Sequence, residues 1–162
     1  MELSPICKKE YPALRALYRS AFPAAERMPL SRFFALQKKG QAEILVLRTG
    51  GAFAGLMIVT FAPGYALLNY FAVEPDCRSM GLGSRALPAL QQRYPNRQVV
   101  LAVDQGSGLT TEEFAPDETS VRQYIKAGAD LVCYSGDKLL GGPQSGIISG
   151  RSDLIKRLEK HP

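Results

Sequence analysis

Between residues 73 and 84 the chain reads Val73-Glu74-Pro75-Asp76-Cys77-Arg78-Ser79-Met80-Gly81-Leu82-Gly83-Ser84. Two glycines stand two apart, directly after an apolar run and before a helix-like stretch. Glycine reaches backbone conformations closed to other residues and allows close approach of a ligand. A helix starting there offers unpaired N–H groups and a partial positive charge. Loop and helix mouth together suit a phosphate or pyrophosphate. Arg78 adds a guanidinium and Ser84 a hydroxyl at the same place. On the glycines alone, a plain connecting loop is an equal reading. The run strand, Arg-x-x-Gly-x-Gly, helix favours the anion pocket. It is neither a Walker loop, which needs Gly-Lys-Ser/Thr, nor a full Gly-x-Gly-x-x-Gly dinucleotide motif. A second residue with chemical potential is Lys138, in a glycine-flanked turn. By default such a lysine is a solvated surface cation. The one histidine, His161, stands next to the C-terminus, which argues against a histidine-based metal site or a serine–histidine triad. No metal is expected.

These residues need elements to hold them. Leu14, Leu17 and Tyr18 recur at helical spacing within 9–20, with Pro12 in the first turn. Residues 31–39 read as a second helix, with Ser31 as N-cap and Gly40 as stop. Residues 42–48, 52–61 and 65–73 read as a three-strand meander, with turns at Gly50-Gly51 and Pro63-Gly64. Residues 84–94 read as a helix despite Pro88, and 98–103 as a fourth strand. In the tail, 119–127 reads as a helix stopped by Gly128, followed by strands 131–135 and 145–149. This is an α/β pattern, of the α+β kind with a mixed sheet.

The chain has 162 residues, enough for one ordinary domain with its own core. Its net charge of +5 suits an anionic ligand and is too small to indicate nucleic acid. Residues 49–73 carry no charge, but Pro63-Gly64 breaks them, so two strands and a turn fit better than a membrane span. Cys7, Cys77 and Cys133 form no C-x-x-C pair, and the N-terminus has no apolar signal core. A reduced, cytoplasmic protein is the expectation.

Residues 1 to about 104 resemble the GCN5-related N-acetyltransferases (GNAT). Arg78-Ser79-Met80-Gly81-Leu82-Gly83 matches the family's Q/R-x-x-G-x-G/A signature, and Phe71-Ala72-Val73 ends the strand before it. The stretch from Ala21 to Arg27 looks like the acceptor-side helices of bacterial members. The resemblance implies a GNAT-like acyl-CoA N-acyltransferase fold and acetyl-CoA as co-substrate. Its pyrophosphate would sit on Ser79, Met80, Gly81, Leu82, Gly83 and Ser84, with Arg78 beside them. Its pantetheine arm would lie along Phe71, Ala72 and Val73 as an added strand. The acceptor would be a small-molecule or peptide amine.

A different resemblance begins near 104. Asp104-Gln105-Gly106-Ser107-Gly108, Gly128-Ala129-Asp130-Leu131-Val132 and above all Ser135-Gly136-Asp137-Lys138-Leu139-Leu140-Gly141-Gly142-Pro143-Gln144 are similar to bacterial selenocysteine synthase. That family uses pyridoxal phosphate. The resemblance implies Lys138 as Schiff-base lysine and Asp104 as partner of the pyridine nitrogen.

The chain therefore reads as a composite with a junction near 98–105. The expectation is that 104–162 supplies helix, strand and strand to one GNAT-like domain over 1–162. Gln123-Tyr124-Ile125-Lys126-Ala127-Gly128 also resembles the acetyltransferases' F-Y-x-K-x-G, which implies Tyr124 as general acid. Gln123 and Ala129 depart from that pattern by replacing aromatics. The other reading of Tyr124 is a helix tyrosine packed on the sheet. Glu26, Glu74 and Asp104 are candidate bases, with a water chain as the alternative. The competing functions are a pyridoxal-phosphate-dependent selenium transferase-like fragment and a catalytically silent composite.

Overall fold

The computed structural model describes residues 1–111, 113 and 119–160; His161 lies outside them. The chain divides into two compact units, Met1–Val99 and Val100–Pro162.

In the first unit, β1 (Glu2–Pro5) leads through a 3-10 turn into α1 (Tyr11–Ala21) and then α2 (Leu30–Lys38). The meander β2 (Ala42–Thr49), β3 (Ala52–Ala62) and β4 (Tyr65–Val73) comes next, then α3 (Leu82–Arg93). β1 to β4 pair in chain order, all antiparallel. On one face of the sheet Ile44, Leu56, Ile58 and Ala72 pack against Leu14, Leu17 and Tyr18 of α1 and Phe33 of α2. The spacing 14, 17, 18 puts those three side chains on one helical stripe. Phe33 and Leu14 are fully buried and Leu17 nearly so, each contributing about 1.5–3 kcal/mol of transfer free energy.

Three features set the end of β4. Asn69 is an extra residue between the pairs Ile58↔Tyr70 and Val59↔Leu68, a bulge that re-aims the rest of the strand. Tyr70 then packs with Tyr18, Phe22 and Phe33. Gly55 faces Val73, and a Cβ there would lie 2.6 Å from the Ala72 carbonyl oxygen, so only glycine lets the strands approach so closely.

The second unit holds most of β5 (Gln98–Gly106), then α4 (Val121–Lys126), β6 (Leu131–Ser135), β7 (Gly146–Gly150) and α5 (Ser152–Leu158). β5 and β6 are parallel, and β6 and β7 antiparallel. Val121, Ala129 and Val132 form one buried cluster, with Leu101, Val103, Tyr124 and Tyr134 against them, and Leu109 and Leu154 are buried as well. Asp130 ties the strands together: one carboxylate oxygen accepts from Leu101 N–H at 2.9 Å and the other from Arg151 at 3.0 Å. Parallel and antiparallel pairs together make the mixed α/β class.

Some local expectations change. The N-cap of α2 is Pro29, so Ser31 lies inside the first turn instead of capping it. Proline's fixed φ suits that helix entrance. α3 starts at Leu82, two residues before 84, which makes Leu82, Gly83 and Ser84 its first turn. β5 runs on to Gly106. β1 and α5 are elements that the hydrophobic pattern did not announce. No described helix is long and apolar enough to cross a membrane.

Candidate functional site

The loop from Glu74 to Gly81 is built to turn sharply. Residues 75–77 form a 3-10 turn, and the backbone passes into the left-handed region at Ser79 (φ 61°) and Gly81 (φ 66°). Among the described residues, Ser79 is the sole non-glycine with positive φ. Such strain costs of order 1–3 kcal/mol and is characteristic of ligand-binding turns. Alternating backbone handedness of this kind forms concave, anion-binding surfaces.

α3 begins directly afterwards. Arg85 N–H is the helix's capping bond, to Gly81 O at 3.2 Å. The amides before it have no intrahelical acceptor and carry the positive end of the helix. The cavity in front of them has a volume of 240 Å³. Val73, Arg78, Ser79, Gly81, Gly83 and Ser84 line it, together with Cys77 and Leu82. The cavity thus unites six of the residues read from the glycine signature with the strand end Val73. Met80 is 57% exposed and does not line it.

Two guanidiniums flank this cavity's loop. Arg78 donates from Nε to Val73 O at 3.2 Å, which ties the loop back to the end of β4. Arg85 reaches back over the helix mouth, donating to Gly81 O at 3.4 Å and Met80 O at 3.3 Å. Arg85 was not singled out in the sequence. Its place four residues after Gly81, one helical turn on, was the available signal. Phe71 lies beneath: a Cβ on Gly83 would stand 3.9 Å from its ring. A pyrophosphate fits this combination of helix mouth, left-handed turn and two cations.

The remaining sequence candidates are not among the residues that line this cavity. Tyr124 is half-buried in the second unit's apolar cluster. Gln123, in the place of an expected aromatic, serves the helix start. Its side chain accepts from Ser120 N–H at 2.9 Å, while its own N–H donates to Ser120 Oγ at 3.1 Å. This reciprocal pair is a capping box that starts α4. Glu26 is exposed in the α1–α2 connection, and Glu74 is half-buried ahead of the glycine loop. Asp104 is exposed on β5, opposite Cys133. Burial first, and then the Asp104 charge, push the Cys133 thiol above its ordinary value.

Lys138 is exposed in the connection from β6 to β7. It lines an open cavity with Ser135, Asp137, Gln144, Ser145 and Gly146. That lining offers no aromatic ring to stack on a pyridine, no arginine for a phosphate, and not Asp104. Pyridoxal phosphate does not fit these residues. Among the described residues no group of three or more His, Cys, Asp or Glu side chains is disposed to hold a metal ion.

The antiparallel meander, the strained turns at Ser79 and Gly81 and the mouth of α3 together frame the glycine-loop cavity. Residues 11–115 match the acetyltransferase (GNAT) family, and the chain belongs to that family. A solved acetyltransferase assigned to the GNAT family from Bacteroides thetaiotaomicron shares the fold. Its TM-score is 0.66 at 19% identity, over 99% of this chain and 93% of that one. Residues 83–162 also match L-seryl-tRNA selenium transferase, so the two matches overlap over 83–115. The Hyphomonas neptunium L-seryl-tRNA(Sec) selenium transferase is 51% identical over 67 residues, 39% of this chain and 14% of that protein. The Yersinia pestis enzyme is 36% identical over 111 residues, 67% of this chain and 22% of that protein. The chain thus spans about a fifth or less of these relatives' length.

Proposed function

We propose that the chain is an acetyl-CoA-dependent N-acetyltransferase acting on a primary amine. The observation that carries this reading is the strained turn at Ser79 and Gly81 opening on the α3 mouth, with Arg78 and Arg85 beside it. The pyrophosphate of the coenzyme would take the amides of the first turn of α3, and the pantetheine arm would run along Phe71, Ala72 and Val73. This brings the thioester to the end of β4.

The acceptor attacks as the free amine, so its proton must leave first, to a carboxylate or through water. The nitrogen's lone pair forms the new C–N bond, and the carbonyl π electrons move onto oxygen. Backbone N–H groups near Phe71 and Ala72 would stabilise that oxyanion. The nitrogen gives up a second proton to water as collapse breaks the C–S bond, and the coenzyme thiolate takes a proton. Tyr124 is the proposed donor, with the reading rested on its place in the tail motif. Titration calorimetry with acetyl-CoA tests the coenzyme assignment. Binding lost in Arg78→Ala/Arg85→Ala supports it; unaltered affinity in that double variant refutes it.

The match of residues 83–162 to selenium transferases supports a second reading, a pyridoxal-phosphate fragment with Lys138 and Asp104. The lining of the Lys138 cavity speaks against it. Borohydride trapping with pyridoxal phosphate, followed by peptide mass spectrometry, separates the two. Scattered lysine labelling is expected. Stoichiometric labelling of Lys138 alone, lost in Asp104→Ala, would establish the second reading.

A further inference from the structure

We infer that the groove between α1 and α2 is an anion-reading pocket that selects an acceptor amine carrying carboxylate groups; as an acceptor site it rests on the acetyltransferase reading above. The cavity has a volume of 470 Å³, within the usual range of ligand sites. Its charged lining is Arg15, Arg19 and Arg27, with no carboxylate among the lining residues, and Met28, Leu30 and Phe34 supply apolar surface. None of the three guanidiniums makes an ion pair with the described residues. Arg27 donates at 3.5 Å to the Arg19 carbonyl oxygen.

The chain's positive excess falls on the stretch that forms these two helices, and three of its cations line the cavity. Residues 11–42 contain Arg15, Arg19, Arg27, Arg32, Lys38 and Lys39 against one acid, Glu26. That local excess of five equals the chain's net charge of +5, so the rest of the chain is balanced. Glu26 is exposed and does not line the cavity. Like charges gathered in a cleft with apolar walls concentrate the opposite charge.

The wall that carries Arg27 is held in place. Tyr18 donates from its hydroxyl to Met28 O at 2.9 Å. Tyr70 accepts from Met28 N–H at 3.1 Å and donates to Glu26 O at 2.7 Å. Tyr70 is the residue before Phe71 on β4, so the strand proposed to carry the thioester also holds the arginine segment. An acceptor anchored by its carboxylates in this groove is therefore held on the segment fixed to β4.

The test uses two C-terminally labelled pentapeptides with free N-terminal amines, one rich in Asp and Glu and one with Asn and Gln instead. Fluorescence anisotropy is read without acetyl-CoA, and free aspartate is the competitor. The acidic peptide should bind at least tenfold more tightly, and Arg15→Gln or Arg27→Gln should weaken it by roughly tenfold. Arg27→Lys should retain part of the binding, while acetyl-CoA affinity stays unchanged in every variant. Displacement by free aspartate identifies a small amino diacid as the source; resistance to it identifies an acidic N-terminal segment. Equal binding of both peptides, or binding unaltered by the two arginine variants, overturns the inference. Acidic-peptide binding with no acetyl-CoA binding would sink the acetyltransferase reading while leaving the anionic pocket in place.

Discussion

Gly81 and Gly83 stand two apart in one motif yet serve different physical ends. Gly81 sits at φ 66° with open space around a would-be Cβ, so any side chain there strains the backbone without striking a neighbour. Gly83 has ordinary backbone geometry, and a Cβ would meet the Phe71 ring only at van der Waals distance. Gly81→Ala should therefore cost about 1–2 kcal/mol in urea unfolding. Gly83→Val should leave the unfolding midpoint close to that of the parent while weakening acetyl-CoA binding by at least tenfold in calorimetry, through blocked approach of the phosphates. Retained affinity in Gly83→Val would separate the loop from coenzyme binding. At the other end of the first unit, Glu10 is buried and chelates Arg48 at 2.8 and 2.7 Å. The Arg48 hydrogen bonds, opposed by burial and helped by Cys7, lower its pKa from 4.5 to about 2. Since the folded value lies below the unfolded one, the pair's stabilisation is present above pH 4.5 and is lost as pH falls towards 2. Thermal unfolding between these pH values should show a fall in Tm that Glu10→Gln reduces, the rest coming from Glu43 and Asp153, whose arginine partners also lower them; parallel curves for the two proteins would contradict it.

Among the elements, α4 is short enough to depend on its cap. Six residues make fewer than two turns, and such a helix is marginal by propensity alone. Ser120 is fully buried and caps it with Gln123. Ser120→Ala should cost about 0.5–2 kcal/mol in chemical denaturation, with Ser120→Asp recovering part of it. An unchanged midpoint in Ser120→Ala would mean that packing and the Val121 N–H bond to Leu109 O, not the cap, hold α4. The α1 stripe was legible because Leu14, Leu17 and Tyr18 repeat at 3.6-residue spacing. β1 was not legible: four residues, Glu2–Pro5, carry no period long enough to read, and they form a strand by pairing with β2.

For the whole molecule, the tail's contribution is the open proposition. It contains the anticipated helix, strand and strand, as α4, β6 and β7, and its buried apolar residues include Leu109, Val121, Ala129, Val132 and Leu154. Truncation after Asp104 should leave a protein that aggregates in size-exclusion chromatography, since it would expose sheet edge and apolar surface. A soluble fragment 1–104 with a cooperative melt would establish two independent pieces.

The features that the sequence determined by itself are mostly local. The glycine loop, the meander turns and the helix stripe arise from backbone sterics and from periodicity over a few neighbours, and these terms act without the rest of the fold. The cavity at the glycine loop was legible for the same reason, because its lining from Val73 to Ser84 is one continuous segment. Tertiary structure alone decided which side chains from distant segments meet. Arg15, Arg19 and Arg27 line one cavity because Tyr18 and Tyr70 hydrogen-bond the segment from Glu26 to Met28, across a separation of up to 44 residues. The bulge at Asn69 immediately precedes Tyr70 on β4, and no composition or spacing rule contains it. Convergence of this kind depends on register and packing between elements, which a one-dimensional pattern does not carry.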